Sequence, residues 1–217
     1  MDRHQDLILL YRGAEADLFV SKLGPWDVVV KQRIRKKYRN SQLDKRIRKE
    51  RTVKEAVVLR EARKTGARTP VVLSVDPSKH SIIMTRVKGI AARDSLDNLD
   101  IQATHNVFRD LGRQVGLLHQ GGIVHGDLTT SNIIITNGNI PSILDFGMSS
   151  HSFESEDRGV DIHLLRRSIA TSHAVDAESC SRAVSLGYTR AMGQKEASST
   201  FRKTAEIARR GRYFAIR

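Results

Sequence analysis

Cysteine, aromatic residues and long apolar runs are all scarce in this sequence. Cys180 is the only cysteine in 217 residues, so it can form no intramolecular disulfide and no cysteine-based zinc cluster. No apolar run approaches the ~20 residues that a membrane-spanning helix needs, so no membrane association is expected. The opening residues, Met1 to Asp6, are polar and carry Asp2 and Asp6. A secretory leader has instead a basic start and an apolar centre. These absences point to the cytoplasm, or to the nucleus in a eukaryote. Acidic residues are also in deficit: 24 Asp and Glu face 37 Lys and Arg, a net charge of +13.

The excess positive charge is uneven. Between Lys31 and Lys54 lie twelve basic residues against only Asp44 and Glu50. Near the other end, Arg209, Arg210 and Arg212 flank Gly211. Such runs are usually solvated surface, but they also fit a polyanion held by phosphate neutralisation, tRNA being one candidate. With neither stretch read as interleaving aromatics, binding by charge and shape is expected over base stacking.

The patterning predicts strands at Leu7–Tyr11, Asp17–Leu23 and Asp27–Lys31, with breaks at Gly13 and Gly24-Pro25. A helix is expected over about Thr52–Lys64, with Val53, Ala56, Val57 and Arg60 on one face. Strands at Pro70–Val75 and Ser81–Val87 follow, then a joint at Gly89. Beyond it, Val107, Phe108, Leu111, Val115 and Leu118 repeat at helical spacing up to Gly121-Gly122. Asn137-Gly138 marks a hairpin between Ile133–Thr136 and Ile140–Leu144, and two or three helices fill the rest. The expected fold is α+β and two-lobed: a β-rich part over 1–88 with one helix, and a mostly helical part over 89–217.

The chemistry is concentrated in Leu118-His119-Gln120-Gly121-Gly122-Ile123-Val124-His125-Gly126-Asp127, then Asn132, then Asp145-Phe146-Gly147 beyond the hairpin. Phosphoryl transfer needs metal ions on phosphate oxygens and a group that orients the attacking hydroxyl or water. Asp and Asn supply the hard oxygens such an ion takes. A carboxylate five residues before an Asn can face the nucleophile while the Asn faces the metal, and the hairpin returns Asp145 towards the same ion. Singly, Asp127 and Asn132 are also ordinary turn-capping residues; the order of the whole set argues for chemistry.

That order resembles the catalytic and metal-binding loops of protein kinases. The resemblance implies ATP and Mg2+ as cofactors, Asp127 as the catalytic aspartate, Asn132 and Asp145 as metal ligands, and His125 as a brace for the loop. It further implies Lys31 as the phosphate-binding lysine of the third strand and Glu55 as its helix partner, with Glu50 and Glu61 as competitors for that place. Met84, Thr85 and Val87 belong to the strip Met84–Lys88, whose backbone would meet an adenine ring. Two departures stand out. Gly13-Ala14-Glu15-Ala16 replaces a glycine-rich phosphate loop, and Gly126 stands where many protein kinases carry arginine. Asp161 would anchor the catalytic loop by hydrogen bonds, or would simply cap a helix starting at Ile162.

Finer strings narrow the family. Gly13–Ala16, Lys36-Lys37-Tyr38-Arg39, Arg51-Thr52 with Glu55-Ala56, His125–Asn132, Asp157–Asp161 and Arg209-Arg210-Gly211-Arg212 together are similar to the small kinase subunit of the KEOPS (EKC) complex. The likeness runs from Gly13 to Arg212. It implies an atypical Ser/Thr kinase or ATPase that supports N6-threonylcarbamoyladenosine formation on tRNA. Its partners would be the threonylcarbamoyl-transfer subunit, the other KEOPS subunits and tRNA, the last reached through basic residues such as Arg209, Arg210 and Arg212. A nucleotide-binding scaffold for tRNA and that partner, or a small-molecule kinase sharing His-Gly-Asp, are the alternatives.

Overall fold

The computed structural model describes residues 7–95, 99–172 and 176–214 of the 217-residue chain, with side chains as far as residue 210. The chain divides into two compact units. The first holds the described residues up to Glu61 together with Pro70–Val87, and the second holds Ala62–Thr69 and the chain from Lys88 onward.

An antiparallel sheet forms the first unit. Its strands are β1 (Ile8–Arg12), β2 (Ala16–Leu23), β3 (Trp26–Arg33), β4 (Val72–Asp76) and β5 (Ser81–Thr85), in the order β1-β2-β3-β5-β4. Leu23 pairs with Trp26 across Gly24-Pro25, and the positive φ of 59° at Gly24 suits that tight turn. Lys31 lies opposite Leu18 on one side and Ile82 on the other, in the middle of the sheet.

The helix of this unit, α1 (Ser41–Lys64), is eleven residues longer at its start than the pattern predicts. Asn40 explains the start: its Oδ1 accepts from the amides of Gln42 at 2.9 Å and Leu43 at 3.4 Å, the bond of an N-cap. The early turns escaped notice because their buried positions are polar. Asp44 and Thr52 are fully buried. Asp44 accepts from the Lys36 amide and from Arg48. Burial alone would raise its pKa, yet these partners hold the carboxyl below its ordinary value. The expected inner face is also corrected: Ala56, Val58, Leu59 and Ala62 are buried, whereas Val53, Val57 and Arg60 are exposed.

The second unit opens with β6 (Ile90–Ala91), the short α2 (Ala92–Ser95) and α3 (Ile101–Gln120). Asp100 caps α3 through the Ala103 amide at 2.7 Å. All five apolar residues of the predicted stripe, from Val107 to Leu118, are at most 2% exposed. The strands β7 (Ile123–Val124), β8 (Ile133–Ile135), β9 (Pro141–Ile143) and β10 (Ser150–His151) follow, then α4 (Ser155–Ser172), α5 (Ala177–Met192) and α6 (Gln194–Phe214). The hairpin is present, but the left-handed residue of its turn is Asn139, at φ 54°, with no positive φ at Gly138. α3 and α5 cross at very close range. A Cβ on Gly112 would fall 2.0 Å from the Val184 carbonyl oxygen, and one on Gly187 would fall 1.8 Å from that of Arg109.

Candidate active site

In the first unit, Lys31 and Glu55 meet as expected: Lys31 Nζ donates to Glu55 Oε1 at 2.6 Å. Arg33, which alternation puts on the same face of β3 as Lys31, donates from Nη2 to Glu55 Oε2 at 2.5 Å. Both carboxylate oxygens of Glu55 are thereby held, and all three side chains are buried. A buried anion between two cations is stable only while complete; removing one partner of such a pair costs roughly 3–5 kcal/mol. Sequence reading missed Arg33 because it lies within a basic stretch taken as surface. Glu50 is exposed and 3.8 Å from Arg46, so it does not compete for the Lys31 partnership.

The segment replacing a glycine-rich loop is pinned. Gly13 donates to the Ala16 carbonyl at 3.0 Å, Glu15 pairs with Arg51 at 2.9 Å, and Lys36 donates to the Ala14 carbonyl. Met84 is buried on β5, and Thr85 is bonded to Val71 through both its amide and its hydroxyl. Val87 is half-buried just beyond β5.

In the second unit the loop residues gather. Asn132 Nδ2 donates at 2.9 Å to both the main-chain oxygen and Oδ2 of Asp127. That fixes the amide so that its oxygen, Oδ1, faces away from Asp127. The Leu144 amide donates to the Asn132 carbonyl at 2.8 Å, which brings Asp145 beside the loop. Asp145 adopts a left-handed conformation, φ 55° and ψ 77°, while its Oδ1 accepts from the Gly147 amide at 3.1 Å. Held, sparsely populated backbone of this kind clusters at functional sites. Asp127 and Asp145 are both exposed.

His125 joins the two loops. Its Nδ1 accepts from the Asp127 amide at 3.3 Å and its Nε2 donates to the Leu144 carbonyl at 2.8 Å, with the ring 4.8 Å from that of Phe146. Asp161 lies within α4, not before Ile162, so it is no N-cap for a helix there. Its Oδ2 accepts from the His125 amide at 2.6 Å and its Oδ1 from the Gly126 amide at 2.8 Å. Burial opposes its charge, but His119 first and then His125 keep the carboxyl below its ordinary value of 3.8. Gly126 is required here. At φ +78° a side chain is strained, and a Cβ would lie 2.5 Å from the Met148 carbonyl oxygen.

Asn132 Oδ1 and the Asp145 carboxylate are the hard oxygens that magnesium accepts. Among the described residues no group of three or more His, Cys, Asp or Glu could hold a metal ion. The chemistry of these two donors fits magnesium, and they would leave the rest of its shell to other oxygen ligands.

The RIO domain profile matches residues 26–167. The KEOPS complex subunit Bud32 of Pyrococcus abyssi is 38% identical over 211 residues, covering 94% of this chain and 96% of that protein. The chain belongs to the RIO-domain family, in its Bud32 branch. Another Bud32-branch relative, a probable serine/threonine-protein kinase BUD32 homolog of Archaeoglobus fulgidus, is 35% identical, with 94% and 95% covered. A probable bifunctional tRNA threonylcarbamoyladenosine biosynthesis protein of Methanothermobacter thermautotrophicus is 36% identical over 94% of this chain, which spans only 36% of that longer protein. The Rio2 kinase of Chaetomium thermophilum shares the fold, with a TM-score of 0.63 at 15% identity, covering 93% of this chain and 73% of that one. This is a kinase-like protein of α+β fold.

The basic stretches look different in the structure. Arg210 is engaged by Glu156 at 2.9 Å and lies 3.9 Å from Glu206. Arg209 is exposed. Arg212 lies in α6, with its side chain outside the described atoms. Tyr38, 78% exposed beneath the Arg39 guanidinium, is an aromatic inside a basic stretch read as lacking one. Among the described residues no helix is long and apolar enough to cross a membrane.

Proposed function

We propose that this chain binds ATP with magnesium and transfers or releases the γ-phosphate. It does so as the Bud32-type subunit of a KEOPS complex, supporting N6-threonylcarbamoyladenosine formation on tRNA in the cytoplasm. The observation that carries this reading is the double hold of the Asn132 amide on Asp127 at 2.9 Å. It leaves an oxygen for the metal and a carboxylate for the nucleophile, set apart by one side chain.

Asp127 orients the attacking hydroxyl or water and accepts its proton. Asn132 and Asp145 hold magnesium, which when bound neutralises the phosphate charge that develops during transfer. Lys31, oriented by Glu55, supplies a fixed cation for the phosphates, and Gly13, Ala14, Glu15 and Ala16 line them, with the Gly13 amide turned to the Ala16 carbonyl. Met84, Thr85 and Val87 are the adenine contacts. Nucleotide handling thus falls to residues 1–88, and the chemistry and the tRNA-facing arginines to 89–217. The direct partner is the threonylcarbamoyl-transfer subunit.

Both the KEOPS and serine/threonine-kinase names among the relatives support this reading. A scaffold that merely holds tRNA is the reading it must beat. In a reconstituted complex, Asp127→Ala is expected to abolish threonylcarbamoyladenosine formation. The combined Arg209→Glu, Arg210→Glu and Arg212→Glu variant should weaken it through tRNA affinity. Full modification by Asp127→Ala, with loss only in the arginine variant, would assign the chain to scaffolding.

A further inference from the structure

Beyond the residues given a part in phosphoryl transfer, a chain of buried polar side chains runs through four helices of the second unit. Asp161 of α4, His119 of α3, Tyr188 of α5 and Thr200 of α6 are each at most 1% exposed. His119 Nε2 lies 3.1 Å from Asp161 Oδ2, and His119 Nδ1 lies 2.9 Å from the Tyr188 hydroxyl. That hydroxyl is also 3.3 Å from Thr200 Oγ1. At the opposite end Asp161 receives the His125 and Gly126 amides, the two residues before Asp127.

Proton accounting shows what the chain does. Asp161 accepts two backbone N–H bonds as an anion, so the His119 nitrogen facing it must be the protonated one. With a neutral ring, the Tyr188 hydroxyl donates a hydrogen bond to Nδ1. With a charged ring, Nδ1 donates to Tyr188, which then donates to Thr200. Tyr188 keeps its proton throughout, because burial pushes its hydroxyl up to about 12. Either way every member has a partner, and the orientation of His119 is set from α5 and α6. His119 in turn fixes the carboxylate that holds the loop. A half-broken buried network costs more than the loss of one bond, since the remaining groups stay desolvated.

We propose that His119 and Tyr188 are positioning residues for phosphoryl transfer, holding the Asp161 carboxylate that sets the main chain ahead of Asp127. The proposal rests on the reading that Asp127 carries the chemistry. Hydrogen bonds between side chains of α3, α5 and α6 thereby determine the geometry of a loop that none of these helices contains.

The test uses the chain in its complex and three variants: His119→Leu, His119→Gln, which keeps a donor for Asp161, and Tyr188→Phe, which removes one oxygen. kcat for ATP turnover should fall by roughly 10- to 100-fold in His119→Leu, as expected for a small misplacement of a reacting group. It should fall less in Tyr188→Phe and be partly restored in His119→Gln, with KM for ATP unchanged. Amide exchange at His125 and Gly126 should accelerate in the same order. If His119→Leu fails to fold, Tyr188→Phe carries the comparison. Unchanged kcat and unchanged exchange at those amides, alongside a lowered Tm, would reduce the network to packing and overturn the proposal. Absence of turnover in the unsubstituted complex would refute the reading of the site instead, and the exchange rates would then decide the positioning claim alone.

Discussion

Gly126 shows how one residue type answers two constraints at once. Its φ of +78° and the 2.5 Å approach of the Met148 oxygen leave no room for a Cβ. Gly126→Ala should therefore destabilise the protein by about 1–3 kcal/mol and lower ATP turnover, as read by thermal melting and phosphate release. A second expectation concerns acid. Asp161 has a folded-state pKa below its ordinary 3.8, so its contribution to stability is complete above that value and is lost as pH falls through the lower one. Melting profiles of the wild type should drop steeply below about pH 4, and Asp161→Asn should flatten that drop. An equally steep acid fall in the variant would remove Asp161 from the account. At this scale the sequence was most informative for His125, Asp127, Asn132 and Asp145, whose fixed order hydrogen bonds turn into one cluster of loops. It was least so for Arg33, whose burial beside Glu55 depends on the strand running two residues further than its apolar run implies.

Helix α1 carries the clearest lesson at the scale of elements. Periodicity registers apolar residues, and the first turns of α1 bury Asp44 and Thr52 instead, so only the Asn40 cap marks where the helix begins. In α3 the opposite holds, because Val107, Phe108, Leu111, Val115 and Leu118 mark its inner face, although Gln114 and His119 are buried beside them. The crossing of α3 with α5 could not be read from either helix alone, since the glycines that permit it face main-chain atoms of the partner. Replacing a mid-helix glycine by alanine ordinarily stabilises by about 1 kcal/mol through helix propensity. Here the sign reverses. Gly112→Ala would put a methyl 2.0 Å from the Val184 oxygen, and Gly187→Ala one 1.8 Å from the Arg109 oxygen. Each should lower the denaturant midpoint, and a raised midpoint in either would contradict the close crossing.

For the whole molecule, the net charge of +13 supplies a long-range attraction for a polyanion that no single contact explains. Binding of tRNA should weaken steeply with salt, because each neutralised phosphate releases counterions. Reversing Arg209 and Arg210 should make that dependence shallower; an unchanged slope would place the tRNA contact elsewhere. Arg210 is already paired with Glu156, so its share of the slope should be smaller than that of Arg209. The α+β order, an antiparallel sheet first and mostly helices after it, was legible because short strand-like runs give way to helical spacing from Val107 to Leu118. The placement of Ala62–Thr69 was not, because the last three residues of α1 and the five that follow them belong to the second unit although the rest of the helix belongs to the first.

The most direct measurement is release of labelled phosphate from γ-labelled ATP by the chain with the proposed threonylcarbamoyl-transfer partner, comparing the wild type with Asp145→Ala across a magnesium titration. Magnesium-dependent turnover by the wild type, and none by Asp145→Ala at any magnesium concentration, is the expected result. Equal turnover by both proteins, or wild-type turnover indifferent to magnesium, would contradict a metal-assisted phosphoryl transfer at this site.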